Sequence, residues 1–118
     1  MSRARPDAWI VVTGATSGLG ADAVAGLAGA GYRVAAGFRS VDAAERLQAP
    51  RVLPLPMDVT DPESLRAAAV ALDGRGGRVA GLVVNAGVAV GAPIEMVSLA
   101  DLRALVEVND VGAVATVQ

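Results

Sequence analysis

The 118 residues include ten Arg, no Lys and twelve Asp or Glu, for a net charge of −2; 53% are hydrophobic, 19% are charged and the mean hydropathy is +0.50. That length and composition suit one globular domain and exclude a disordered tail, and no apolar run approaches the roughly 18 residues of a membrane span. After Arg5 the apolar stretch is only Trp9 to Val12, too short for a signal-peptide core. Without cysteine or histidine there is no disulfide framework, thiolate chemistry, zinc site or histidine-based triad, and no metal is expected. No basic stripe points to nucleic acid. A cytoplasmic protein with a small-molecule partner is expected.

Short β-rich runs alternate with Ala- and Leu-rich amphipathic ones, the pattern of an α/β domain around a parallel sheet. The first predicted strand, Trp9 to Val12, ends at Thr13-Gly14, and a helix follows from Leu19 to Ala30, stopped by Gly29 and Gly31. Arg33 to Phe38 is the second strand, and a short helix from Val41 to Gln48 stops before Pro50. The third strand, Val52 to Met57, holds Pro54 and Pro56; proline donates no ladder hydrogen bond, so this strand belongs at a sheet edge or is short. A helix then starts either at Thr60 with Glu63, as a capping box, or at Asp61 with Pro62, and runs to about Leu72. Gly74-Arg75-Gly76-Gly77 breaks it. The fourth strand, Val79 to Val84, is almost continuously apolar and reads as buried on both faces. After a loop from Val88 to Val97, Ser98 caps a last helix with Leu99, Leu102, Leu105, Val106, Val114 and Val117. Nothing closes that helix before Gln118, so the polypeptide is expected to have been cut there.

Gly14-Ala15-Thr16-Ser17-Gly18-Leu19-Gly20 lies between the first strand and the first helix. In that place backbone N–H groups and the positive end of the helix dipole converge on a phosphate, and glycines let it approach without Cβ contacts. The spacing differs from the Gly-x-Gly-x-x-Gly dinucleotide fingerprint.

Thr13 to Gly20 resembles the cofactor loop of the short-chain dehydrogenase/reductase family, and further segments come in that family's order: Arg39 after the second strand, Asp58-Val59 after the third, Asn85-Ala86-Gly87 after the fourth, and Asn109 in the last helix. The resemblance covers residues 9 to 118 and corresponds to the family's N-terminal cofactor-binding half. It implies a Rossmann-like three-layer αβα fold, with parallel strand order 3-2-1-4, truncated before a fifth strand. It also implies that Gly14, Thr16, Ser17, Gly18, Leu19 and Gly20 wrap the pyrophosphate. Asp58 would accept from the adenine amino group, Val59 would pack on the ring, and Asn85, Ala86 and Gly87 would line the floor near the nicotinamide ribose. Val84 stands where the family usually has a first asparagine.

Arg39 selects the cofactor. A carboxylate at the end of the second strand favours NAD, whereas a cation there favours NADP; here Gly37-Phe38-Arg39-Ser40 offers a guanidinium fork and a hydroxyl to a phosphate, and the nearest acid is Asp42. NADP is therefore expected over NAD.

The family's proton donor is a tyrosine, with a lysine four residues later and a nearby serine. Here there is no lysine, and Tyr32, the sole tyrosine, reads as a packing residue. Of the family's catalytic set only Asn109 remains, in a supporting role. The resemblance thus implies the cofactor-binding portion of an NADP-dependent oxidoreductase for a carbonyl or secondary alcohol, inactive as these residues alone. The apolar loop Ala89 to Met96 suggests a lipophilic substrate. The alternative is a non-catalytic NADP-binding regulatory or structural module, although a structural half-domain would be expected to lose the glycine loop kept here. An unpaired Val79–Val84 edge and the Leu99–Val117 helix are expected to promote homo-oligomerisation.

Overall fold

The computed structural model describes residues 7–118, so Arg5 lies outside it. Four strands, β1 (Ala8–Val12), β2 (Arg33–Phe38), β3 (Val52–Pro56) and β4 (Arg78–Val83), form one parallel sheet in the order β3-β2-β1-β4. Side chains alternate across it with the two-residue period of a strand. Trp9 and Val11 of β1 face one core with Ala35, Leu55 and Met57, completed by Ala68 and Leu72 of helix α3 (Pro62–Gly74). Val12, Val34, Ala36 and Phe38 face the other, completed by Val24 of helix α1 (Gly18–Gly29) and by Leu47. Helices thus cover both sheet faces in a three-layer, Rossmann-like arrangement.

Local chemistry explains most element boundaries. α1 ends at Gly29, and Gly31 adopts φ +92 just beyond, with Tyr32 donating back to the Leu27 carbonyl. β3 lies at the edge, as its prolines require, with Pro54 beside Ala36 of β2. At α3 the Asp61 carboxylate accepts from the Glu63 N–H and Pro62 takes the first helical position, which decides between the two possible starts. Ser98 accepts from the Asp101 N–H at the head of α4 (Leu99–Val106).

Three expectations need correction. The segment after β2 is helical only as α2 (Val41–Ala44), tightens into a 3₁₀ turn over Glu45–Leu47 and does not reach Gln48. β4 is not buried on both faces: Val79 is 54% exposed, and Leu82 and Val83 are half-buried. As the outermost strand, it has a neighbouring strand on one side only. The last helix is not α-helical throughout. Between α4 and α5 (Gly112–Val117), residues Glu107–Val111 widen into a π turn, which adds a residue to the turn and rotates α5 relative to α4. Leu99, Leu102, Val106, Val114 and Val117 lie exposed along this stretch. Among the described residues, no helix is long and apolar enough to cross a membrane.

Candidate cofactor cleft

The chain runs outward from β1 through β2 to β3, then returns to place β4 on the other side of β1. Loops leaving neighbouring strands diverge at such a reversal and leave a crevice at the strands' carboxyl ends. A cavity of about 420 Å³ lies there, within the usual size range of ligand sites.

Its wall is assembled from every strand's exit. Gly14, Thr16, Ser17 and Leu19 come from the loop after β1, Arg39 and Ser40 from that after β2, Asp58 and Val59 from that after β3, and Asn85, Ala86 and Gly87 from that after β4. Of the residues singled out in the sequence, Gly18, Gly20 and Asn109 are not in this wall. Gly20 is buried behind the loop, where a Cβ would stand 2.0 Å from the Gly14 carbonyl oxygen and 2.6 Å from Asn85 Nδ2. Gly14, at φ +61, lies so close to the next loop that its Cβ would be 2.9 Å from the Ala86 Cα. Both glycines therefore shape the cradle through close backbone approach.

The donor set suits a phosphate. Ser17 is the N-cap of α1, yet its hydroxyl makes no capping bond, and the first turn contains no acid. The leading N–H groups of the helix, which have no intrahelical acceptor, and the positive end of its dipole are therefore open to an anion. Ser40 likewise makes no side-chain capping bond at the head of α2. Arg39 is exposed beside it.

Behind the wall, a polar clasp joins β1 to β4. Thr13, only 1% exposed, accepts through Oγ1 from the N–H groups of Asn85 and Ala86, each at 2.9 Å. Asn85 answers by donating Nδ2 to the carbonyls of Thr13 at 3.2 Å and Gly14 at 3.1 Å. The Asn85 amide, expected from the sequence at the cavity floor, is thus engaged by the glycine loop and provides the strand-to-strand tie that Val84 cannot.

Asp58 is held in a tight turn. Its Oδ1 accepts from the Thr60 N–H at 2.9 Å and the Thr60 hydroxyl at 2.7 Å, while its own N–H donates to Ser64 Oγ at 2.9 Å. The Thr60 hydroxyl first, then the Thr60 N–H, and more weakly the Arg39 charge lower the Asp58 pKa against an opposing contribution from burial. Asn109 sits in the π turn and clasps Val88 from both sides: Oδ1 accepts the Val88 N–H at 2.8 Å and Nδ2 donates to its carbonyl at 2.9 Å.

Sequence reasoning missed several wall residues: Gly37, Phe38, Ala43, Met57, Thr60, Val88 and Val108. Gly37, Phe38 and Met57 lie at strand ends, so the rule that ligands gather at carboxyl ends could have found them. Nothing in the local sequence marks Val108, which the π turn presents. Tyr32, as expected, packs against the α1-side core.

Known proteins resemble the chain both in sequence and in fold. The family model of the short chain dehydrogenases matches residues 8–118. The short chain dehydrogenase pigC of Monascus ruber is 38% identical over 91 residues, covering 67% of this chain and 30% of that protein. A 3-ketoacyl-(acyl-carrier-protein) reductase from Brucella melitensis, solved in complex with NADH, is 28% identical with a TM-score of 0.86, over 92% of this chain and 46% of that one. A short chain dehydrogenase from Bacillus anthracis shares the fold at 22% identity and a TM-score of 0.89, over 96% of this chain and 49% of that one. The chain therefore spans 30% of the curated relative and just under half of each of these solved structures.

Proposed function

The chain belongs to the short-chain dehydrogenase family, and we propose that it is the cofactor-binding portion of a cytoplasmic, NADP-dependent oxidoreductase acting on a carbonyl or secondary alcohol, its described residues forming one domain. The observation that carries this reading is the convergence of the uncapped head of α1, Arg39 with Ser40, and Asp58 on a single cleft. In it, the loop from Gly14 to Gly20 holds the pyrophosphate: Thr16, Ser17 and the Leu19 N–H act as donors, and Gly18 and Gly20 allow the close turn. Asp58 and Val59 receive the adenine, and Asn85, Ala86 and Gly87 support the ribose nearest the nicotinamide. When bound, the cofactor supplies hydride exchange at its nicotinamide ring.

The Brucella reductase was solved with NADH, so membership of the family does not choose the cofactor. Arg39 supports NADP because a guanidinium can fork two donors onto a ribose phosphate, with the Ser40 hydroxyl as a third. The experiment is calorimetric titration of NADP and NAD into the wild type and Arg39→Asp. Losing a charge-assisted contact, worth about 1.5–3 kcal/mol, and adding repulsion should move the ratio of dissociation constants toward NAD by roughly tenfold or more. An unchanged ratio removes Arg39 as the selector.

We infer no turnover by these residues alone, since they contain no lysine and Tyr32 is engaged in packing. Asn109 then has a supporting role, fixing the loop after β4 through Val88. Ile94 and Met96, 78% and 74% exposed in that loop, favour a lipophilic substrate.

A further inference from the structure

We propose that Thr60 is the positioning residue for recognition of the adenine base: by placing both its N–H and its hydroxyl on Oδ1 of Asp58, it presents Oδ2 to the exocyclic amine. The inference rests on the assignment of Asp58 to the adenine made above.

An ionised carboxylate only accepts hydrogen bonds, and each of its oxygens has two lone-pair directions. The two Thr60 donors, at 2.9 and 2.7 Å, fill those of Oδ1. No hydrogen bond from the described residues reaches Oδ2. The carboxylate cannot easily swivel, because the turn that carries it is fastened on both sides. The Asp58 N–H is held by Ser64 Oγ at 2.9 Å, and the Asp58 carbonyl accepts from the Asp61 N–H at 3.1 Å. Asp58, Val59 and Thr60 all line the cleft. The oxygen without a partner is thus a fixed acceptor on a residue of the cleft wall, next to Val59. It suits a purine bearing an amino group at its six position and opposes one bearing a carbonyl there, whose lone pairs would face the carboxylate.

The arrangement also gives Thr60 a role that differs from simple support of the turn. A residue that only stabilised the loop would, on removal, weaken every nucleotide alike. One that aims Oδ2 would, on loss of its side chain, narrow the preference between bases.

The test is calorimetric titration of the protein with NADP and with its hypoxanthine analogue, for the wild type, Thr60→Val and Thr60→Ser, with circular dichroism verifying the fold. Thr60→Ala replaces the valine variant if valine disturbs the turn. The wild type should favour the adenine form by roughly tenfold or more, as befits a hydrogen bond to a charged acceptor. Thr60→Ser, which keeps the hydroxyl, should retain that ratio, and Thr60→Val, which keeps only the backbone N–H on Oδ1, should lower it severalfold. A wild-type ratio retained in Thr60→Val, or lost in Thr60→Ser, overturns the role of Thr60 and leaves the assignment of Asp58 standing. Equal binding of both bases by the wild type overturns the assignment of Asp58 itself, and this inference with it.

Discussion

Thr13→Val preserves the shape of a side chain that is only 1% exposed and deletes a single oxygen. That oxygen is the acceptor for two backbone donors, Asn85 N–H and Ala86 N–H, at the exit of β4. A donor stranded without a partner costs about 1–3 kcal/mol. Asn85 and Ala86 are half-buried, so water reaches them in part and the lower portion of that range applies to each. The two together come to about 2–4 kcal/mol. For a urea dependence of about 2 kcal/mol per molar, in the middle of the usual range, the unfolding midpoint should fall by about 1–2 M. Trp9, buried in β1, supplies a fluorescence signal for the transition. Thr13→Ser is the control, since it keeps the oxygen and gives up one methyl, at about 0.8 kcal/mol. The more hydrophobic substitution should therefore be the more damaging one at this buried position just past β1. If valine is tolerated as well as serine, the clasp between β1 and β4 does not depend on this hydroxyl.

The lowered pKa of Asp58 makes part of the stability depend on pH. That part is fully present above the unfolded value of about 3.9 and is lost as pH falls through the lower folded value, so acid thermal melts of Asp58→Asn should show a flatter limb than the wild type; parallel limbs would contradict the assignment. Asn109→Ala removes both hydrogen bonds to Val88, and amide exchange at Val88 should quicken by about tenfold if each is worth the usual 0.5–1.5 kcal/mol; unaltered protection would show that the clasp does not hold the loop. The open β4 edge, with Val79 54% exposed, should drive self-association of the 118-residue chain, and Val79→Lys should reduce it in sedimentation velocity; a wild-type monomer at high concentration would refute the role of this edge.

Much of this architecture is written locally. The prolines of β3 exclude it from the sheet interior, Asp61-Pro62 and Ser98 set two helix starts, and the glycine loop marks the turn between β1 and α1 from composition and position alone. Each of these signals acts within a few residues, through φ restriction, a missing N–H or a capping oxygen, so no distant partner is needed to interpret it.

Other features became visible only once the chain was folded. The apolar run of β4 states an aversion to water but not how many neighbours the strand will have; its place at the sheet's edge decides its exposure. Glu107-Val108-Asn109-Asp110-Val111 carries no local break signal, yet a π turn forms there, where Asn109 reaches Val88 and Val108 joins the cleft. Thr13 and Thr60 are ordinary after a strand and in a turn; their importance lies in the groups they hold, Asn85 and Ala86 across 72 and 73 positions of sequence in one case and the Asp58 carboxylate in the other. Residue spacing encodes the period and punctuation of single elements. Which loop ends meet depends on the parallel register, Val12 beside Ala36 on one side and Val83 on the other, and that register is selected by packing across both sheet faces, a property no single segment possesses.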